Sequence, residues 1–130
     1  MISESVLEKI EKFAKCNDVI VAAYVFGSSA AGKEQRKSDI DVAIMIRGSM
    51  GSFERVQIET ELSNLLGKDI DLVVFSRASP LLQHQILKYG RIVYEADARE
   101  RVRQEVTSRR DYLDFLVLYR ILGKDRSHGG

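Results

Sequence analysis

The strongest constraint on this chain is a pair of short apolar runs that bracket a turn of small and polar residues. Val21-Ala-Ala-Tyr-Val-Phe26 leads straight into Gly27-Ser-Ser-Ala-Ala-Gly32. After further polar residues the chain returns as Ser38-Asp39-Ile40-Asp41-Val42-Ala-Ile-Met-Ile46. Apolar runs of this length, rich in Val and Ile and bounded by turn residues, predict buried strands over residues 19–26 and 40–46. Side chains alternate across a strand at about 3.3 Å per residue, so Asp39 and Asp41 share a face roughly 6–7 Å apart. Two carboxylates held that way beside a small-residue turn form a seat for Mg²⁺ carrying a polyphosphate. The backbone N–H groups of a Gly-Ser turn can cradle the phosphates themselves.

The same turn also spells GxxxxGK from Gly27 to Lys33, one residue short of a P-loop. Glu34 follows, where a P-loop needs a hydroxyl on Mg²⁺, and a carboxylate there repels phosphate. The segment Glu34-Gln-Arg-Lys-Ser38 is also too short for the crossover that joins parallel strands, a dozen or more residues. The turn is therefore not read as a P-loop.

The rest of the chain continues the alternation of helix and strand. Ser5 and Glu8 predict a capping box on a first helix that carries Val6, Leu7, Ile10, Phe13 and Ala14 on one face. Cys16 stands near its end. Arg47-Gly-Ser-Met-Gly-Ser52 is a loop. Residues 53–66 read as a helix with Phe53, Val56, Leu62, Leu65 and Leu66 available for burial, stopped by Gly67. Residues 69–75 form a third strand. Ser79 as N-cap and Pro80 at the first position open another helix, which Gly90 closes. Residues 91–95 make a fourth strand, and Asp97 with Glu100 caps a final helix from 98 to about 122. The order α-β-β-α-β-α-β-α gives a small mixed sheet with helices packed on it, an α+β fold. One domain is expected over residues 1–122, its core at 19–95, with 123–130 a disordered tail.

Composition excludes several function classes. With 20 Lys and Arg against 19 Asp and Glu, the chain has a net charge of +1. That balance offers no basic stripe for nucleic acid, so no direct nucleic-acid partner is expected. No run approaches the apolar length of a membrane span, and the N-terminus lacks the build of a signal peptide. A single cysteine excludes an internal disulfide and a cysteine-rich zinc site. The expectation is a soluble cytoplasmic protein without a membrane role. His84, in the third helix, and His128, in the tail, have no partner at metal-ligand spacing. The arginines of the last helix (Arg99, Arg101, Arg103, Arg109 and Arg110) read as a solvated face with compensating acids. Tyr112 and Tyr119 share a face of that helix and read as core or partner-contact aromatics.

The third strand adds a further acid. Asp69 and Asp71 fall on one face, and a two-metal centre wants a carboxylate to activate the attacking hydroxyl beside the first pair. Asp71 lies deeper in the apolar run and is better held, whereas Asp69, next to Lys68, marks the strand entrance. Val25-Phe-Gly27-Ser28 followed by Ser38-Asp39-Ile40-Asp41-Val42 resembles the GS turn and DxD pair of the DNA-polymerase-β-like nucleotidyltransferase superfamily. With Gly67-Lys-Asp-Ile-Asp71-Leu-Val-Val, Ser79-Pro80-Leu-Leu and Gly90-Arg-Ile-Val-Tyr-Glu95, the chain resembles the minimal nucleotidyltransferase (MNT) group over residues 19–95.

That resemblance implies a stand-alone catalytic domain, many of which act as antitoxins beside HEPN-domain RNase toxins. It implies transfer of an adenylyl group from ATP to a tyrosine of the toxin. On this chain Asp39 and Asp41 hold metal, two Mg²⁺ ions in all, and Asp71 completes the triad and helps deprotonate the acceptor. Gly27 and Ser28 hold the β- and γ-phosphates, with Ser29 beside them. The family's basic residue in the turn is absent near Ala31, and Lys33 takes its place as the nearest candidate, with Arg36 and Lys37 beyond. The acceptor or a second subunit completes so small a site. Leu113, Leu116 and Tyr119 on the last helix offer an apolar patch for a toxin or a further copy of the chain. Two other readings stand beside this one. An antitoxin of this kind can silence its toxin merely by covering it, and such a transferase can act on a small molecule or on RNA.

Overall fold

The computed structural model describes residues 2–27 and 40–129. Its elements run α1 (Glu4–Lys15), β1 (Ile20–Phe26), β2 (Ile40–Ile46), α2 (Ser52–Leu66), β3 (Ile70–Val74), a short 3₁₀ turn (Phe75–Arg77), α3 (Pro80–Tyr89), β4 (Arg91–Glu95) and α4 (Ala98–Gly129). The α+β reading holds. Four strands make one mixed sheet in the order β3-β2-β1-β4. β1 pairs antiparallel with both β2 and β4, whereas β3 runs parallel to β2. Parallel pairing requires a crossover, and α2 supplies it.

Burial divides the sheet into two faces. On one, Val42, Ile44, Ile70, Leu72 and Val74 pack with Leu7 and Ile10 of α1 and with Leu62 and Leu66 of α2. On the other, Tyr24, Phe26, Ala43, Met45 and Phe75 pack with Ile86 of α3. β1 is buried along its whole length because a central strand is covered on both faces.

α4 crosses the second face and is tied down at its start. Asp97 caps it, accepting from the Glu100 N–H at 3.1 Å, and pairs with Arg47 at 2.9 Å. The Tyr24 hydroxyl donates to Glu105 at 3.1 Å. Arg101 binds both Glu95 of β4 and Glu105. Gln104 donates to the carbonyl of Ile46 at 3.0 Å. The arginines of this helix thus divide: Arg101 knits it to the sheet, while Arg103 and Arg109 pair along its surface with Glu100 and Glu105.

Several boundaries differ from the sequence expectation. Ser3, not Ser5, caps α1, accepting from the Val6 N–H at 3.3 Å. Only Ser5 has an acid three residues on, Glu8, yet the backbone is extended at Ser3 and helical from Glu4, so Ser3 takes the cap without a capping box. On α2 only Leu62 and Leu66 are buried; Phe53 is 81% exposed, and Val56 and Leu65 stand in solvent too. The apolar residues of α2 are spread around the helix, and the sheet covers one side only. Gly67 closes α2 in the left-handed conformation, φ 65°. Gly90 closes α3 for another reason. Its backbone is extended, and an added Cβ would stand 2.4 Å from the Ile86 carbonyl oxygen. α4 continues past the expected end near Leu122 to Gly129, because a single glycine at 123 costs a helix only about 1 kcal/mol. Among the described residues no helix is long and apolar enough to cross a membrane.

Candidate active site

The acids come together through strand register. In the parallel pair Asp41 stands directly across from Asp71, with Ile40 across from Ile70. Neighbouring strands lie about 4.8 Å apart, so the two aspartates leave the sheet side by side. Alternation puts Asp41 with Ala43 and Met45, and Asp71 with Val73, on the face that carries α3 and α4. Asp69 precedes β3, and its carbonyl extends the ladder by accepting from the Ile40 N–H at 3.0 Å. Asp71 is exposed and Asp41 half-buried.

Gly27 fixes the other side of Asp41. It ends β1 with φ 78°, next to Phe26, which is itself the register partner of Asp41. A Cβ built on Gly27 would stand 2.1 Å from Asp41 Oδ2. The carboxylate therefore occupies the space that any other residue at 27 would fill, and a positive φ excludes most of them as well. Asp39, Ser28, Ser29 and Lys33 lie outside the described residues. Among the described residues no three His, Cys, Asp or Glu side chains converge as a metal cluster.

Two open grooves meet at Asp71. One, of about 470 Å³, is lined by Glu59, Thr60 and Ser63 of α2 with Asp69 and Asp71. The other, of about 510 Å³, runs past Ser52, Arg55, Asp71, Arg77 and Ser79. Arg77 is held by donating to the Met50 carbonyl at 3.2 Å. Arg55, Glu59 and Arg77 are the site-lining residues that sequence reasoning missed. For Arg55 and Glu59 the signal was the polar stripe Arg55-Glu59-Ser63, four residues apart on α2, which carries no chemistry until β3 is laid beside it; Arg77, in the turn after β3, had none. His84 lies elsewhere, stacked on Tyr112 with ring centroids 3.8 Å apart in a small hollow between α3 and α4.

Residues 8–99 match the family described as polymerase beta, nucleotidyltransferase. The protein adenylyltransferase MntA of Shewanella oneidensis is 34% identical over 68 residues, 52% of this chain and 49% of that protein. The chain thus matches about half the length of that curated relative. Among solved structures, a toxin–antitoxin complex with AMP-PNP contains a chain of TM-score 0.82 at 24% identity. The match covers 93% of this chain and 98% of that one. A tri-AMPylated Shewanella oneidensis HEPN toxin in complex with MNT antitoxin gives TM-score 0.79 at 21% identity, covering 97% of this chain and 99% of that one. At such identities the two structures establish a shared fold.

Proposed function

Because this chain belongs to the polymerase beta nucleotidyltransferase family, we propose that it is an antitoxin that transfers AMP from ATP to a tyrosine hydroxyl of a HEPN-type RNase toxin and so silences it. The observation that carries this reading is the Asp41–Asp71 pair, level across β2 and β3 with Gly27 pressed against Asp41. Two carboxylates so close repel one another, an arrangement that is useful where a cation is to be held. The donor set fits Mg²⁺, which prefers hard carboxylate oxygens; Asp39, Asp41 and Asp71 are the residues that would hold two such ions. When bound, Mg²⁺ supplies neutralisation of triphosphate charge in this class of transfer.

The chain's own residues do the rest. The turn from Gly27 through Ser28 and Ser29, with Lys33, receives the β- and γ-phosphates. Asp71 accepts the proton of the acceptor hydroxyl. That oxygen forms its bond to the α-phosphorus as the bond to pyrophosphate breaks, so most of the rate comes from orientation and charge. The supply of ATP puts the reaction in the cytoplasm. The solved relatives, one with AMP-PNP and one with a tri-AMPylated HEPN toxin, support both the nucleotide and the acceptor.

The test is intact-mass spectrometry of a co-expressed HEPN-domain neighbour after incubation with ATP and Mg²⁺. The expected result is AMP bound covalently to tyrosine, absent with Asp39→Asn/Asp41→Asn and with Asp71→Asn. An unmodified toxin that wild type and the double variant silence equally would overturn catalysis and leave inhibition by coverage.

A further inference from the structure

β3 is one of the two edge strands of the described sheet, and alternate residues of an edge strand turn their backbone N–H and C=O groups outward. Here three of those outward groups are taken up by α2. The Leu72 N–H donates to Glu59 Oε2 at 2.8 Å, and the Leu72 carbonyl accepts from Arg55 at 3.2 Å. The Ile70 N–H donates to Ser63 Oγ at 3.2 Å. Arg55 and Glu59 also pair with each other at 3.2 Å, both side chains about a quarter to a third exposed. The three gripping residues sit four apart along one face of α2, and the two gripped residues are those on either side of Asp71.

We propose that Glu59, with Arg55 and Ser63, positions Asp71 for proton transfer by clamping the backbone of Ile70 and Leu72. The inference rests on the reading of Asp71 as the group that takes the acceptor's proton. An exposed acid at a strand edge has few contacts of its own to hold it. With both flanking residues tied to a helix, its Cα–Cβ direction is fixed relative to Asp41, whose strand holds the other side of Asp71. Misplacement of a catalytic group by about 1 Å can cost as much as 100-fold in rate, so a clamp on the backbone acts on kcat. Glu59 and Arg55 reach the acceptor through Asp71 alone and are not themselves catalytic residues.

The test compares Glu59→Leu, Glu59→Gln and Ser63→Ala in the full chain, with initial rates of AMP transfer from labelled ATP to the toxin neighbour. Glu59→Leu is expected to lower kcat about tenfold or more and to leave KM for ATP unchanged. Glu59→Gln keeps an amide oxygen for the Leu72 N–H and is expected to recover most of that loss. If Glu59→Leu fails to fold, Ser63→Ala carries the test through Ile70, with a fall of about threefold or more in kcat at unchanged KM and recovery in Ser63→Thr. Variants that melt earlier but keep wild-type kcat would overturn the proposal, leaving α2 as a cover for the strand edge. Loss of activity in Asp71→Asn beside full activity in Glu59→Leu overturns the positioning alone. Full activity in Asp71→Asn overturns the reading of Asp71 itself.

Discussion

Gly27 meets two demands at once, a positive φ and the absence of a side chain where the Asp41 carboxylate stands. Gly27→Ala raises both problems together. The left-handed backbone costs about 1–2 kcal/mol, and the new methyl drives Asp41 off its position. The expected outcome is a folded protein whose Tm falls by several degrees, with AMP transfer lost about 100-fold or more. Thermal melts and labelled-ATP assays on the same preparation check it, and transfer near the wild-type rate would refute it. At this scale Gly27, Asp41 and Asp71 were legible in the sequence because each belongs to a short motif whose chemistry depends on local spacing. Arg55, Glu59 and Arg77 were not. Arg55 and Glu59 matter because strand β3 lies against α2, and Arg77 because the turn after β3 reaches the Met50 carbonyl, both contacts between residues remote in the chain.

Among the elements, the start of α4 sets how stability responds to acid. The guanidinium of Arg103, followed by the Gln104 amide, holds the Glu100 carboxyl down at about 2, against an ordinary 4.5. Hydrogen bonds from the Glu100 N–H and then Arg47 lower Asp97 as well. Groups with lowered values stabilise the fold fully above their unfolded range and lose that contribution as pH falls through the folded one. Melting temperature should therefore decline from about pH 4.5 toward pH 2, and the decline should be shallower in Glu100→Gln/Asp97→Asn. Parallel slopes for the two proteins would refute the assignment. Tyr24 acts at the other end. Burial, then Glu105, pushes its hydroxyl well above the ordinary 10.0, so its contribution is present below that value and is lost as pH rises beyond it. Element types were readable from periodicity and turn residues, including the Asp97 cap and the Ser79–Pro80 start. The ends were less so. The capping-box spacing points to Ser5 while the backbone makes Ser3 the cap, and the exposure of Phe53 is decided by which side of α2 meets the sheet.

Over the whole molecule the long α4 stands out, 32 residues and so about 48 Å. Its second half leaves Leu113 62%, Val117 61% and Tyr119 66% exposed, at spacings that put Leu113 and Val117 on one face. Such a surface is more apolar than a monomer of this size needs, and we expect it to be the contact for the toxin. Leu113→Glu/Val117→Glu should abolish association with the neighbour in size-exclusion chromatography with light scattering. It should change stability by no more than about 0.5 kcal/mol per site, because neither residue is buried. Association unchanged, or a large loss of Tm, would refute it. The parallel pairing of β2 and β3 has its own consequence, for evolution. Asp41 and Asp71 are level because of a hydrogen-bonded register, and the segment between them passes through a solvent-facing loop and a crossover helix. Loops of that kind lengthen at little thermodynamic cost, each doubling adding about 0.6 kcal/mol. Relatives can therefore vary freely between β2 and α2 without separating the acids. A single-residue deletion inside β3 would replace Asp71 with a side chain from the opposite face, so lineages of this chain should tolerate length changes in that loop and none in that strand.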